Sequence, residues 1–299
     1  KIQAAPQTAK RSFSAGSVIS AIGRWIVRNR IYLIAFAIPA VLTYLAYALF
    51  GLYPFGEESV LCLDLNGQYV YYFEALRDAF WGDGSIFYNW SRNLSGEFMG
   101  IIGYYLASPF TLIVMLLPEK FMLSSLLIMQ LCKLGAAGAT FNYFLQKRRG
   151  VQPYPSLIFS TMYAMMAYGV IQLIDPMWLD GLVFLPLIML GIEYLVDDGR
   201  RLNFIIPLAL MCVANFYIGY MICFFVILYF LFYLCFGSDK KRKGYDYFTA
   251  FVRIAYSSVI ALACAAFMLL PVYNALKLGK FEFTDPDYSF RFQSFPLSK

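Results

Sequence analysis

Asp64-Leu65-Asn66-Gly67-Gln68-Tyr69 brings a carboxylate, two amides and a phenol together just after the first long apolar run. A carboxylate placed at a membrane surface can act as general base on a hydroxyl, with Asn66, Gln68 and Tyr69 holding the molecule that carries it. The same residues fit a plainer role. Tyr69, Tyr72, Phe73 and Leu76 recur at helical spacing, and aspartate is a common helix N-cap. On residue types alone both readings of Asp64 stand.

Four further places carry reactive or binding groups. Asp175-Pro176-Met177-Trp178-Leu179-Asp180 sets two carboxylates in one tight turn. They could hold a cation or a sugar's hydroxyls, or simply sit beside a proline and an interfacial tryptophan. Asn215-Phe216-Tyr217-Ile218-Gly219-Tyr220 is polar and aromatic. Asn215 and Tyr217 could contact a substrate, or Asn215 could satisfy a helix end within an aromatic belt. Lys133 lies deep in an apolar run, where an ionisable side chain costs roughly 2.5–3.5 kcal/mol on insertion scales and is a functional candidate by default. A lipid phosphate is its natural partner, and snorkelling along its long stem is the structural alternative. Arg92, in Trp90-Ser91-Arg92-Asn93, could meet a phosphate or a sugar, or be an ordinary loop arginine. Asn93-Leu94-Ser95 also matches a glycosylation sequon, a short and weak pattern.

The elements that must position these groups are membrane helices. Apolar residues make up 61% of the 299, charged residues only 14%, against about 25% in a soluble domain. Runs such as 216–236 show no strand alternation, so an all-α polytopic fold is expected rather than a barrel. The net charge of +6 falls in short clusters between apolar runs: Arg24/Arg28/Arg30, Lys147–Arg149, Arg200/Arg201 and Lys240–Lys243. That is the positive-inside pattern, and it argues against nucleic acid as a partner. Residues 1–30 read as a basic cytoplasmic segment, with an interfacial helix over 12–30.

The region 52–120 is acidic and reads as an external loop. Within it 101–117 carries Pro109 and must not cross if all the basic clusters are to share one side, so an in-plane or re-entrant segment is expected. Seven spans then follow, at 31–51, 121–145, 156–173, 178–196, 203–214, 217–236 and 248–272. Residues 273–299 fall outside the cell, as the truncated start of a following region. The absent initiator Met likewise suggests a piece of a longer product. Gly135, Ala136, Ala137, Gly138 and Ala139 read as a close helix-packing stripe. The chain has no histidine, which removes Ser-His and Cys-His chemistry and His-ligated metals. Its six cysteines sit mostly in apolar runs and suggest no disulfide framework.

The blocks "DLNGQYVYYFEALRDAF", "FYNWSRNLSGEFMGIIGYYLASPF", "MWLDGLVFLPLIMLGIEYL" and "NFYIGYMICFF" together resemble the bacterial YfhO family of membrane proteins, from about residue 24 onward. That family looks like a branch of the GT-C membrane glycosyltransferases. The resemblance implies a GT-C-like seven-span module over 31–272, with a first external loop carrying in-plane helices and a catalytic aspartate near its start, here Asp64. It implies a polyprenyl-phosphate-linked sugar as donor and a lipoteichoic or wall teichoic acid as acceptor, at the outer face of a bacterial plasma membrane. A divalent cation is used by some such enzymes. Asp175 and Asp180 would line the same cavity, and Lys133 or Arg92 would steady the carrier phosphate. Two other classes stay open, a flippase or transporter of lipid-linked saccharides and a non-catalytic envelope assembly protein. A transporter would show repeats and broken helices meeting at mid-membrane.

Overall fold

In hydrocarbon a backbone must satisfy its own hydrogen bonds, so each long apolar run becomes a helix. The computed structural model describes residues 15–90, 96–238 and 243–277. Helix α1 (Ala15–Leu49) runs without interruption, so the basic segment and the first apolar run form one element rather than an interfacial helix followed by a span. The loop region holds a π turn (Leu65–Tyr69), α2 (Val70–Trp81), the two-residue strands β1 (Tyr88–Asn89) and β2 (Gly96–Glu97), which pair antiparallel, α3 (Met99–Ile101), a second π turn (Ile102–Leu106) and α4 (Thr111–Leu116). The rest is α5 (Met122–Arg148), α6 (Pro153–Ala164), α7 (Ala167–Ile171), α8 (Leu179–Asp198), α9 (Leu202–Ala214), α10 (Phe216–Phe232) and α11 (Gly244–Leu276).

Among the described residues, five helical segments are long and apolar enough to cross a membrane: Ser20–Leu49, Glu119–Arg148, Pro176–Asp198, Phe216–Gly237 and Gly244–Leu276. The other two expected spans are shorter for local reasons. The run over 156–173 breaks where Met166 turns extended, at φ −61° and ψ 160°, separating α6 from α7. Asn215, at φ −156° and ψ 111°, ends α9 after 13 residues, about 20 Å against a hydrocarbon core of about 30 Å.

Side-chain contacts give each helix its direction. Tyr32 meets Tyr143, Tyr47 donates to Gln130, and Tyr53 bonds Ser124, so α1 and α5 are antiparallel neighbours. The segment between them therefore begins and ends at one end of the bundle. Its 101–117 stretch is divided among short helical pieces interrupted over 107–110, and none of them could cross alone. Asn142 bonds Ser156, and Phe141 stacks on Tyr163, which turns α6 back antiparallel to α5. Lys133–Asp180 and Arg148–Glu193 contacts make α8 parallel to α5. Gly199, at φ +71°, closes α8 in the left-handed conformation that favours glycine. After it α9 returns so closely that a Cβ on Gly191 would lie 2.5 Å from the Phe204 Cα.

Tyr229 of α10 and Tyr233, in the turn that follows it, bond Glu193 and Asp197, making α10 parallel to α8, and α11 ends against the loop region at Gly100 and Gly103. Two shorter elements, α6 with α7 and α9 alone, thus run beside the five long helices without matching their length. Arg24, Arg28, Arg30, Lys147, Arg148, Arg149, Arg200 and Arg201 gather at one end, while the loop region occupies the other. The small-residue stripe of α5 packs α1: a Cβ on Gly138 would lie 2.5 Å from the Ala35 carbonyl oxygen.

The loop region carries a core of its own. Leu65, Phe73, Leu76, Phe98, Ile101 and Leu106 pack over Met122, Leu126, Met177 and Met268 at the helix ends. Arg77 ties α2 to the far end of α4 by donating to the carbonyls of Val114 at 2.5 Å and of Leu117. This arrangement predicts the outcome of labelling with a membrane-impermeant thiol reagent, on a background whose native cysteines are replaced. Glu57→Cys and Lys120→Cys should react from the same face and Lys147→Cys from the opposite one. Labelling of Glu57→Cys and Lys120→Cys from different faces would mean that 101–117 crosses.

Candidate functional site

The first π turn solves the problem of bringing Asp64 and Tyr69 together. In an α-helix, residues five apart point about 140° away from each other. Here Val70 N–H bonds back five residues to the Leu65 carbonyl, and the widened turn carries Tyr69 round toward Asp64. Such turns are frequent at functional sites. Asp64 occupies the N-cap position but makes no side-chain cap bond. Its Oδ2 instead lies 3.3 Å from the Tyr69 hydroxyl, which lies 2.8 Å from Asp175 Oδ1. The single phenolic proton goes to the shorter contact. Asp175 is thereby held, while the Asp64 carboxylate stays exposed with no other partner among the described residues. Burial, then the hydrogen bond and charge of Asp175, and then Asp64 push the Tyr69 phenol well above its ordinary range, so it remains a donor throughout the neutral range.

A continuous row of aromatic rings leads away from this bridge. Tyr105 sits 5.1 Å from both Tyr69 and Tyr72, and Tyr104 sits 4.5 Å from Tyr105. Tyr104 in turn reaches Phe216 at 5.6 Å and Tyr217 at 5.9 Å. The second π turn, closed by Ala107 N–H on the Ile102 carbonyl at 2.8 Å, places Tyr104 and Tyr105. It can approach α11 only because residue 103 is glycine, whose added Cβ would fall 2.3 Å from Val272 Cγ2. Asn215 is fully buried beneath it, donating to the Tyr104 carbonyl at 2.8 Å and accepting from Ile218 N–H at 2.9 Å. The plainer reading of Asn215 therefore holds: it ends one helix, caps the next and carries the loop. Asn66 and Gln68 are exposed beside Asp64.

Lys133 and Asp180 are placed differently from the expectation of a shared cavity and a phosphate contact. They are 1% and 0% exposed and pair at 2.7 Å. Lys133 also donates to the Pro176 carbonyl at 2.8 Å, and Ser108 donates to Asp180 at 2.8 Å. The ammonium neither snorkels nor faces an open surface, because the partner that offsets its burial is within the bundle. Asp175 stands on the exposed side of this pair and Asp180 within it. Arg92 and the sequon at 93–95 lie outside the described residues. Glu74, on α2, is half-buried. That burial, followed by the charges of Glu119 and Asp78, raises its carboxyl pKa.

Sequence reasoning missed Tyr104 and Tyr105, which lie within the 101–117 stretch read only as an in-plane or re-entrant segment. It also missed a cluster at the opposite end of the bundle. There the fully buried Glu193 accepts from Arg148 at 2.8 Å, Arg149 at 2.5 Å and Tyr229 at 2.5 Å, and Arg148 also pairs with Asp197. The two arginines were legible only as topology signals. Among the described residues no group of three or more His, Cys, Asp or Glu side chains could hold a metal. Asp64 and Asp175 supply two carboxylates, the number that Mg²⁺ often takes beside substrate phosphates.

A family model described as "Bacterial membrane protein YfhO" matches residues 35–299. The chain is also similar to the uncharacterized protein YfhO of Bacillus subtilis (strain 168), at 27% identity over 168 residues. That match takes in 50% of this chain and 19% of the relative, so the chain spans about a fifth of the curated relative it matches. No solved structure matches.

Two stability measurements separate the roles of these groups. Lys133→Met should lower stability by about 3–5 kcal/mol, because Asp180 is left buried without its cation, while the Lys133→Met/Asp180→Leu double variant should recover most of the loss. A single variant as stable as the parent would show that the pair carries no structural load. Across a double-mutant cycle, Tyr69→Phe and Asp175→Asn should couple by roughly 1–2 kcal/mol, and strictly additive effects would rule out the hydroxyl bridge.

Proposed function

The chain belongs to the YfhO family of bacterial membrane proteins, and on that premise we propose that it is the N-terminal module of a membrane glycosyltransferase. Its donor is a sugar carried on a polyprenyl phosphate, and its acceptor is a hydroxyl of an envelope polymer such as lipoteichoic or wall teichoic acid. The observation that carries this reading is the state of Asp64. It is an exposed carboxylate at the N-cap position of a helical turn, spared from capping and 3.3 Å from a phenol whose proton is committed to Asp175. A positioned base with open lone pairs is what proton removal from an acceptor hydroxyl requires.

In the proposed step the acceptor oxygen attacks the anomeric carbon while its proton passes to Asp64. The bond between that carbon and the phosphate oxygen breaks, and the carrier leaves as polyprenyl phosphate. Tyr69 holds Asp175 in place and keeps its proton, given its raised pKa. Asn66 and Gln68 are placed to bond the reacting hydroxyls, and the tyrosine row offers flat apolar faces beside them. Asp64 and Asp175 are the residues that would hold a divalent cation, which there would neutralise the leaving phosphate. With every described basic cluster at the far end of the bundle, the positive-inside rule orients the N-terminus to the cytoplasm and the Asp64 end outward. The lipid bilayer is then the carrier's source.

In the full-length protein, Asp64→Asn should lower transfer of sugar to the polymer by about 10²–10⁴-fold, the span usual for loss of a general base, with insertion and melting temperature unchanged. Transfer at the parent rate would end the assignment of Asp64. Movement of a lipid-linked saccharide across vesicles without any transfer would favour the flippase instead.

A further inference from the structure

A cavity of about 480 Å³ opens between α5 and α6, at the bundle end remote from Asp64. Phe141 and Tyr163, stacked at 4.2 Å, meet on one side, and Leu145, Phe159 and Met162 complete an apolar lining, with Arg149 also bordering the space. Phe141, Leu145 and Arg149 recur every four residues and so share one face of α5. The lining therefore runs along the helix from the guanidinium inward for about 12 Å. Phe159 and Met162 are 52% and 64% exposed, so the groove is open sideways, to the surroundings of a membrane helix.

We propose that this groove seats an acyl chain of an anionic phospholipid, whose phosphate rests on Arg149. The charge argument is local. Arg149 is 40% exposed, and its carboxylate partner Glu193 is fully buried and shared with Arg148. The Arg149 Nε–H has no acceptor among the described residues. Lys147, in the same turn, lies over the Tyr143 ring and has no carboxylate partner among the described residues. The fork of this guanidinium is held by Glu193 and Tyr229, which leaves its Nε–H edge to meet a phosphate oxygen, and it stands at the end of a membrane helix, where headgroups lie. A zwitterionic headgroup would bring its own cation to a site that already has an excess of them. The inference does not rest on the role of Asp64.

The test uses the whole chain in phosphatidylcholine nanodiscs doped with phosphatidylglycerol of the same acyl chains. Retained lipid is read by native mass spectrometry and folding by melting temperature. The parent should retain phosphatidylglycerol over phosphatidylcholine by about fivefold, as expected for one basic contact at a membrane surface. Arg149→Gln should abolish the preference. Met162→Trp, which fills the groove without touching the ion cluster, should abolish it too. Equal retention of the two lipids by the parent would overturn the proposal. Loss with Arg149→Gln alone would replace a seated lipid with diffuse surface attraction, and loss with Met162→Trp alone would place the charge selection on a group other than Arg149; either result overturns it. Should Arg149→Gln fail to fold, the Arg149→Gln/Glu193→Gln double variant, which leaves no unpaired buried carboxylate, takes its place.

Discussion

An ammonium inside a membrane bundle must find its counter-charge there, and the way Lys133 does so constrains much of the rest of the molecule. Its bonds to Asp180 and to the Pro176 carbonyl clamp the middle of α5 to the start of α8. Ser108, on the other oxygen of Asp180, draws the interruption of the loop region down onto the same point. Asp175 precedes Pro176 by one residue, so the clamp also decides where that carboxylate stands. From Asp175 the constraint reaches the Tyr69 hydroxyl, which lies 3.3 Å from Asp64. A buried charge pair of this kind adds little net stability over apolar residues of the same shape, and its attested use is to specify one arrangement among several.

Close backbone approach supplies the second constraint. Glycines at 103, 138 and 191 each sit where a methyl group would overlap a neighbouring helix. They let α11, α1 and α9 come near enough for dispersion contacts to hold helices together where hydrocarbon removes the hydrophobic drive between them. At Gly103 the same closeness has a further effect, because it fixes the turn that carries Tyr104 and Tyr105. Packing and site are therefore set by one residue in that place.

Much of this was legible in advance, and unevenly. Apolar length and basic clusters were enough to place the elements, since both are properties of single segments. The break at Asn215 and the interruption within 101–117 were visible as polar residues and a proline within apolar runs. Lys133 stood out because a charge deep in an apolar run is costly, and Asp64, Asp175 and Asp180 because carboxylates gathered in a loop and a tight turn can do chemistry. Their pairing did not stand out. Lys133 and Asp180 are 47 positions apart, and nothing in either segment names the other. The Asp64–Tyr69 contact was hidden for a different reason, since the usual helical period sets those side chains apart and only a widened turn joins them. Glu193 passed unremarked because its two arginine partners already had an explanation as topology signals.

The shortness of α9 has a consequence for the bilayer itself. A helix of 13 residues leaves roughly 10 Å of hydrocarbon thickness unspanned at its outer end, and that depth is made up by Asn215, the tyrosine row and the second π turn. Lipid tails next to a short, aromatic-topped column must shorten, tilt or end early. At that place the bundle presents amide and phenol groups where a full-length helix would present apolar side chains, so its outer rim is lower and more polar there than around the five long helices.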